Sequence, residues 1–174
     1  MTTLAETLGE TWHLSPLKRK LKRLGLQEVH HWIQLSVQRG CAHYQSNAEQ
    51  VRDPGEQKVS NMELAVSLLL GETPYDPRAI RIAGALLSDC RDPEDLVDLG
   101  RRERVLPRIR YIAEQGAKVE PDNLLWRDLV DRTPCQLYRE GLLPHRDRFT
   151  VPAGTPREML HGATGNCWVG LKDL

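Results

Sequence analysis

Four cations that lie close together, Lys18, Arg19, Lys22 and Arg23, are the residues of this chain best suited to hold a ligand. They fall in a helix predicted over residues 16–24, where leucines at helical spacing form one apolar side and Gly25 marks the end. The cations, together with Lys20, occupy the other faces and can neutralise several phosphates. The segment therefore predicts contact with nucleic acid or with an acidic protein, unless it is a solvated face that binds nothing.

A second basic group lies at residues 101–110, and its members are Arg101, Arg102, Arg104, Arg108 and Arg110. We take Arg101, Arg104 and Arg108 as candidate contacts for the same kind of ligand. Acidic side chains nearby in sequence, such as Asp98 and Glu103, could instead neutralise the group by ion pairing along a helix. The two basic groups support nucleic-acid binding together only if the fold places them on one face.

Catalytic and metal-binding patterns are weaker. Cys167 and His161 lie six residues apart but carry no further sign of an activated nucleophile. Arg139 and His145 are spaced like the paired residues of helical ribonucleases of the HEPN class, but Gly141 and Pro144 would interrupt the helix that positions such a pair. A small hydrolase or ribonuclease is therefore only a third alternative, and we expect no catalytic residue.

A metal site would need clustered ligands, and the only grouping of this kind joins two pairs, His30 with His31 and Cys41 with His43. The chain contains no C-x-x-C or H-E-x-x-H spacing, and two adjacent helical residues do not share a face. We therefore expect no metal and no cofactor.

The elements that must position these residues are predicted from their starts. A capping side chain precedes proline five times, at Ser15-Pro16, Asp76-Pro77, Asp92-Pro93, Thr133-Pro134 and Thr155-Pro156. Ser60 and Glu63 form a capping box before a nearly all-apolar helix at 62–70, which we place at the centre of the core. Further helices are predicted over 27–39, 77–90, 93–101, 107–115 with Gly116 as its stop, 124–131 and 134–140.

These elements predict an all-α fold, an irregular bundle of eight to ten short helices. We expect one domain over residues 1–174, with a possible subdivision into 1–52 and 60–174. Residues 52–58 are predicted to be a mobile linker, and segments 148–151 and 167–169 could pair as a small ribbon.

Composition limits the function. Acidic and basic residues balance at 24 each, so no global field attracts nucleic acid or a membrane, and such binding needs a local patch. No apolar run approaches the roughly 20 residues of a membrane span, and the four cysteines follow no secretory signal. We expect a soluble, cytoplasmic, non-enzymatic binding or adaptor protein that acts through a protein partner or itself, with nucleic-acid binding through residues 16–24 as the alternative.

Overall fold

Helices make up the regular structure of the computed structural model, which describes residues 15–39, 41, 51–70 and 77–133. These residues contain seven helices and no strand, which confirms the all-α class. The predicted helix at 134–140 and the predicted ribbon lie outside the described residues, so the total of eight to ten helices stays a prediction. The helices are α1 (Pro16–Arg23), α2 (Val29–Gln38), α3 (Asn61–Leu68), α4 (Pro77–Ser88), α5 (Pro93–Arg102), α6 (Leu106–Val119) and α7 (Leu124–Arg132).

Side-chain caps begin α1, α5 and α7, and those at Ser15 and Asp92 are predicted from the sequence. The Ser15 hydroxyl accepts a hydrogen bond from the backbone N–H of Lys18 at 3.2 Å, and Asp92 accepts one from Asp95 at 3.0 Å. Asn123 is the residue before α7, and its side-chain oxygen accepts from the second residue of that helix. Each bond satisfies a first-turn donor that has no acceptor within its own helix.

Thr133 contacts the end of the helix that precedes it. Its hydroxyl donates to the carbonyl of Leu129 at 2.6 Å, so this side chain closes the end of α7. The helix that it was predicted to start, at Pro134, lies outside the described residues, as do Asp76 and Thr155.

Helix α3 lies at the centre of the hydrophobic core, as predicted. Residues 64–68 are all buried, and α1, α2, α4 and α5 pack against this helix. Its capping box is complete, because Glu63 N–H donates to Ser60 Oγ at 3.1 Å and Ser60 N–H donates to Glu63 Oε2 at 3.2 Å. The same Glu63 carboxylate binds Lys20 Nζ at 2.6 Å, which fixes α1 against the start of α3.

The segment before α3 is anchored, in contrast to the mobile linker predicted at 52–58. The Arg39 guanidinium binds both carboxylate oxygens of Asp53, at 2.9 and 2.6 Å, and donates to the carbonyl of Val59 at 2.7 Å. Only 6% of the Arg39 side chain is exposed. A forked arginine–carboxylate pair fixes geometry as well as charge, so this loop is held against the end of α2.

Gly116 does not end its helix, and the prediction of a stop there was wrong. Helix α6 continues to Val119, and Gly116 is buried inside it against the ring of Trp126 in α7. A Cβ atom at this position would lie 2.4 Å from the nearest atom of that ring. The glycine is therefore required for the close approach of α6 and α7. The predicted break before Pro107 is confirmed, since α5 ends at Arg102 and α6 begins at Leu106.

Replacement of Gly116 by alanine should lower the free energy of unfolding by about 1–3 kcal/mol, because the new methyl group overpacks the contact with Trp126. If Gly116 were merely a weak position in a helix, alanine would instead stabilise the protein by about 1 kcal/mol. Thermal or urea unfolding measures the sign, with Gln115→Ala at the neighbouring helical position as the control.

The Arg39–Asp53 pair should make stability depend on acid pH. Hydrogen bonds from Arg39 hold the pKa of the Asp53 carboxyl below its ordinary value of 3.8, against the opposing effect of partial burial. The contribution of the pair is therefore complete above about pH 4 and is lost as the pH falls through the lower folded-state pKa. Urea unfolding from pH 6 to 2 should show a smaller loss of stability for Asp53→Asn than for the native protein, and equal losses would contradict this assignment.

Candidate functional site

The exposed face of α1 carries four cations with no carboxylate partner among the described residues. Leu17 and Leu21 are buried beneath the helix, so Arg19, Lys22 and Arg23 are exposed and Lys18 is half-buried. Lys20 differs, because it pairs with Glu63. Three of the four predicted contacts, Arg19, Lys22 and Arg23, are therefore exposed, and their contact with a ligand stays a prediction.

The helix dipole accounts for the presence of only two of these four cations. Lys22 and Arg23 lie in the last turn, where cations stabilise the negative end of the dipole. Lys18 and Arg19 lie near the first turn, where cations are unfavourable and where α1 has no acidic residue of its own. Helix energetics therefore do not account for these two positions.

The missing acid at the start of α1 is supplied by Glu103, the residue after α5. Its Oε1 accepts a hydrogen bond from the backbone N–H of Leu17 at 3.1 Å, across 86 residues of sequence. The Glu103 side chain is 0% exposed, and its Oε2 accepts no hydrogen bond from the described residues. Arg102 Nε lies 3.8 Å from Oε1, with 62% of the Arg102 side chain exposed.

This contact brings the two basic groups together. Arg102 Nε lies 3.8 Å from the same Glu103 oxygen that binds Leu17, so this guanidinium lies beside the first turn of α1, and Arg104 follows Glu103 in the chain. Arg104 is exposed and has a φ of 60°, the left-handed conformation in which a chain leaves a helix. We give the name basic surface to six cations, Lys18, Arg19, Lys22, Arg23, Arg102 and Arg104.

Two other predicted contacts are less suited to a ligand. Arg101 pairs with Asp98 one turn earlier on α5, in an exposed ion pair of small energy. Arg108 donates from Nη1 to the carbonyl of Leu69, the residue that ends α3. Arg108 is therefore engaged with the core helix, which argues against its predicted contact with a ligand.

Arg110 has a comparable structural role on α7. Its Nη1 donates to the carbonyl of Val130 at 2.8 Å and also to that of Thr133, and its Nε binds Glu114 at 2.8 Å. The carbonyls at the end of a helix have no intrahelical donor, so this guanidinium completes the end of α7.

The histidines of α2 serve the start of that helix. His31 Nδ1 accepts hydrogen bonds from the backbone N–H groups of Gln27 at 3.2 Å and Glu28 at 3.3 Å. His30 Nδ1 lies 3.1 Å from the Glu28 carboxylate on the surface. Within the described ranges, no group of three or more His, Cys, Asp or Glu residues could hold a metal ion.

The described thiols are poorly suited to nucleophilic chemistry. Burial, and then the charge of Asp89, raise the pKa of the Cys41 thiol to about 12, and burial also raises the pKa of Cys90. A raised pKa disfavours the thiolate, which is the form that catalysis needs. His43 and the pairs Cys167/His161 and Arg139/His145 lie outside the described residues.

Comparison with protein-family models, curated proteins and solved structures gave no match. Within the described part of the chain, none of the helices combines the length and the apolar character needed to cross a bilayer. Function therefore has to be inferred from the geometry and charge of the basic surface.

The assignment of Arg108 to the fold can be tested against Arg101. Arg108→Gln should lower the free energy of unfolding by about 2 kcal/mol, because it removes a charged hydrogen bond from the end of the buried α3. Arg101→Gln should change it by less than about 0.5 kcal/mol, because an exposed pair contributes little. Urea unfolding of both variants measures the difference, and similar values would contradict the assignment.

Proposed function

We propose that the protein is a non-enzymatic binding protein whose basic surface docks on the phosphate backbone of nucleic acid. The observation that carries this proposal is the bond between Leu17 and Glu103, because Arg102 Nε lies 3.8 Å from the same Glu103 oxygen and so beside the start of α1. Neither group alone is unusual in a chain with 24 basic and 24 acidic residues. Their proximity gives a local positive field that the neutral total does not.

The acidic residues of α5 leave this field largely intact, because Asp98 is paired with Arg101 and the others, Glu94 and Asp95, lie at the start of the helix. The pKa of Arg132, in the last turn of α7, is raised first by its bonds to Asp128 and then by the charges of Glu94 and Asp92. The acidic start of α5 therefore faces α7. A helix of ten residues is about 15 Å long, so its acidic start and basic end are well separated.

The arrangement of cations on α1 suits an extended anion. Lys18 with Lys22, and Arg19 with Arg23, are spaced by four residues and form two neighbouring rows along the helix. Arginine can bind phosphate through two parallel hydrogen bonds, and lysine acts as a point charge. Contacts of this kind hold a backbone without reading its base sequence.

An adaptor role is the alternative, in which the basic surface accepts an acidic segment of a protein partner. The same six cations would bind either ligand, so an experiment has to distinguish an acidic protein segment from nucleic acid. A duplex offers phosphates at regular spacing along its whole length, and its affinity falls with salt in proportion to the number of phosphates neutralised.

The test is a binding titration of a short mixed-sequence DNA duplex over a range of salt. We expect the native protein to bind at low salt and the variant Lys18→Gln, Arg19→Gln, Lys22→Gln, Arg23→Gln to lose most of the affinity. The slope of log K against log salt should become less steep by about 3.6, from roughly 0.9 for each phosphate that the variant no longer neutralises.

A matched control removes two lysines and two arginines elsewhere on the exposed surface of the described residues, through Arg52→Gln, Lys58→Gln, Lys118→Gln and Arg127→Gln. This control should keep the native slope. Equal losses of affinity in both variants would show that total charge rather than the basic surface governs binding. No binding by the native protein at low salt, together with binding to an acidic polypeptide such as polyglutamate, would favour the adaptor role.

A further inference from the structure

We propose that Glu103 is a positioning residue, which joins the two basic groups into one preformed binding surface. This role rests on the proposed function, because it concerns how the same surface is built. Glu103 itself does not touch the ligand, since its side chain is 0% exposed. It acts through the backbone of α1 and through its neighbours Arg102 and Arg104.

The burial of this carboxylate calls for an explanation. Removing a carboxylate from water costs several kcal/mol unless hydrogen bonds and charges compensate. Here Oε1 accepts one strong bond, from Leu17 N–H, while Oε2 accepts none from the described residues. The start of a helix dipole and the nearby Arg102 compensate in part. An apolar residue at this corner would avoid that cost but would leave the Leu17 N–H without an acceptor, so the carboxylate is retained for the bond that it makes to α1.

The geometry shows what the carboxylate achieves. Leu17 is the second residue of α1, where a backbone N–H has no acceptor within the helix. Glu103 supplies that acceptor from the corner between α5 and α6, so the direction and position of α1 are fixed relative to Arg102 and Arg104. A surface that is ordered before binding loses less conformational entropy when a ligand docks.

The negative charge of Glu103 opposes phosphate binding, whereas its hydrogen bond to Leu17 favours it. The two effects can therefore be tested separately. A negative charge beside the cations weakens the attraction for phosphate. If Glu103 mattered only as a charge, removing the charge would strengthen binding, and shortening the side chain would change little. If Glu103 positions the cations, the hydrogen bond to Leu17 matters and the charge does not.

Two variants separate the effect of the hydrogen bond to Leu17 from the effect of the negative charge. Glu103→Gln keeps an oxygen at the same distance from Leu17 and removes the charge. Glu103→Asp keeps the charge and shortens the side chain, so that it no longer reaches. Both are titrated with the same DNA duplex over a range of salt, and amide hydrogen exchange of Leu17 is measured by NMR.

For Glu103→Gln we expect protection of the Leu17 amide, the native salt slope and an affinity at least equal to the native one. For Glu103→Asp we expect loss of that protection, weaker binding and a slope less steep by about 1.8, since the two arginines no longer align with α1. Tighter binding by Glu103→Gln together with an unchanged slope and affinity for Glu103→Asp would overturn the positioning role.

The native protein alone provides a second test, should Glu103→Asp fail to fold. Its Leu17 amide must be protected from exchange in the absence of DNA, and free exchange there would overturn the proposal. Failure of the proposed function looks different, because the native protein would then not bind the duplex at any salt, even with the Leu17 amide protected.

Discussion

The burial of α3 is the constraint on which the described structure depends. This helix is apolar on nearly every side, so it is stable only when neighbouring helices cover it. Burial also requires that both of its ends find hydrogen-bond partners away from water. Ser60 and Glu63 satisfy the start, and Arg108 of α6 donates to the Leu69 carbonyl at the end. Because Glu63 also binds Lys20, the same requirement holds α1 in place.

The end-capping requirement sets one group of arginines apart from the cations of the basic surface. Arg39, Arg108 and Arg110 donate to backbone carbonyls next to helix boundaries, and their guanidinium groups belong to the fold. The cations of the basic surface have no comparable bond to backbone within the described residues. An arginine-rich composition therefore does not by itself indicate a nucleic-acid ligand. The proposed function concerns only the second group, and we propose that Glu103 sets its position.

Local features of the sequence predicted much of the fold. Caps such as Ser15 and Asp92 act on donors within three residues, so their role follows from the sequence itself. A glycine is ambiguous, because it can end a helix or permit close packing. The contact with the ring of Trp126 shows that Gly116 permits close packing.

The candidate site was less predictable than the fold. The exposed face of α1 follows from the spacing of its leucines, and that part of the prediction agrees with the structure. The bond between Leu17 and Glu103 spans 86 residues and has no local signal, so the position of the second basic group could not be derived. For the same reason Arg102, which looked no different from Arg101, was not among the predicted contacts.

The most direct measurement of the central claim is an NMR titration of the labelled protein with a short DNA duplex. Docking on the basic surface predicts amide shift changes at residues 16–23 and 102–104, together, at the same ligand concentrations, and little change in α7. Shift changes confined to one of the two segments, or centred on α7, would contradict a single binding surface built from both.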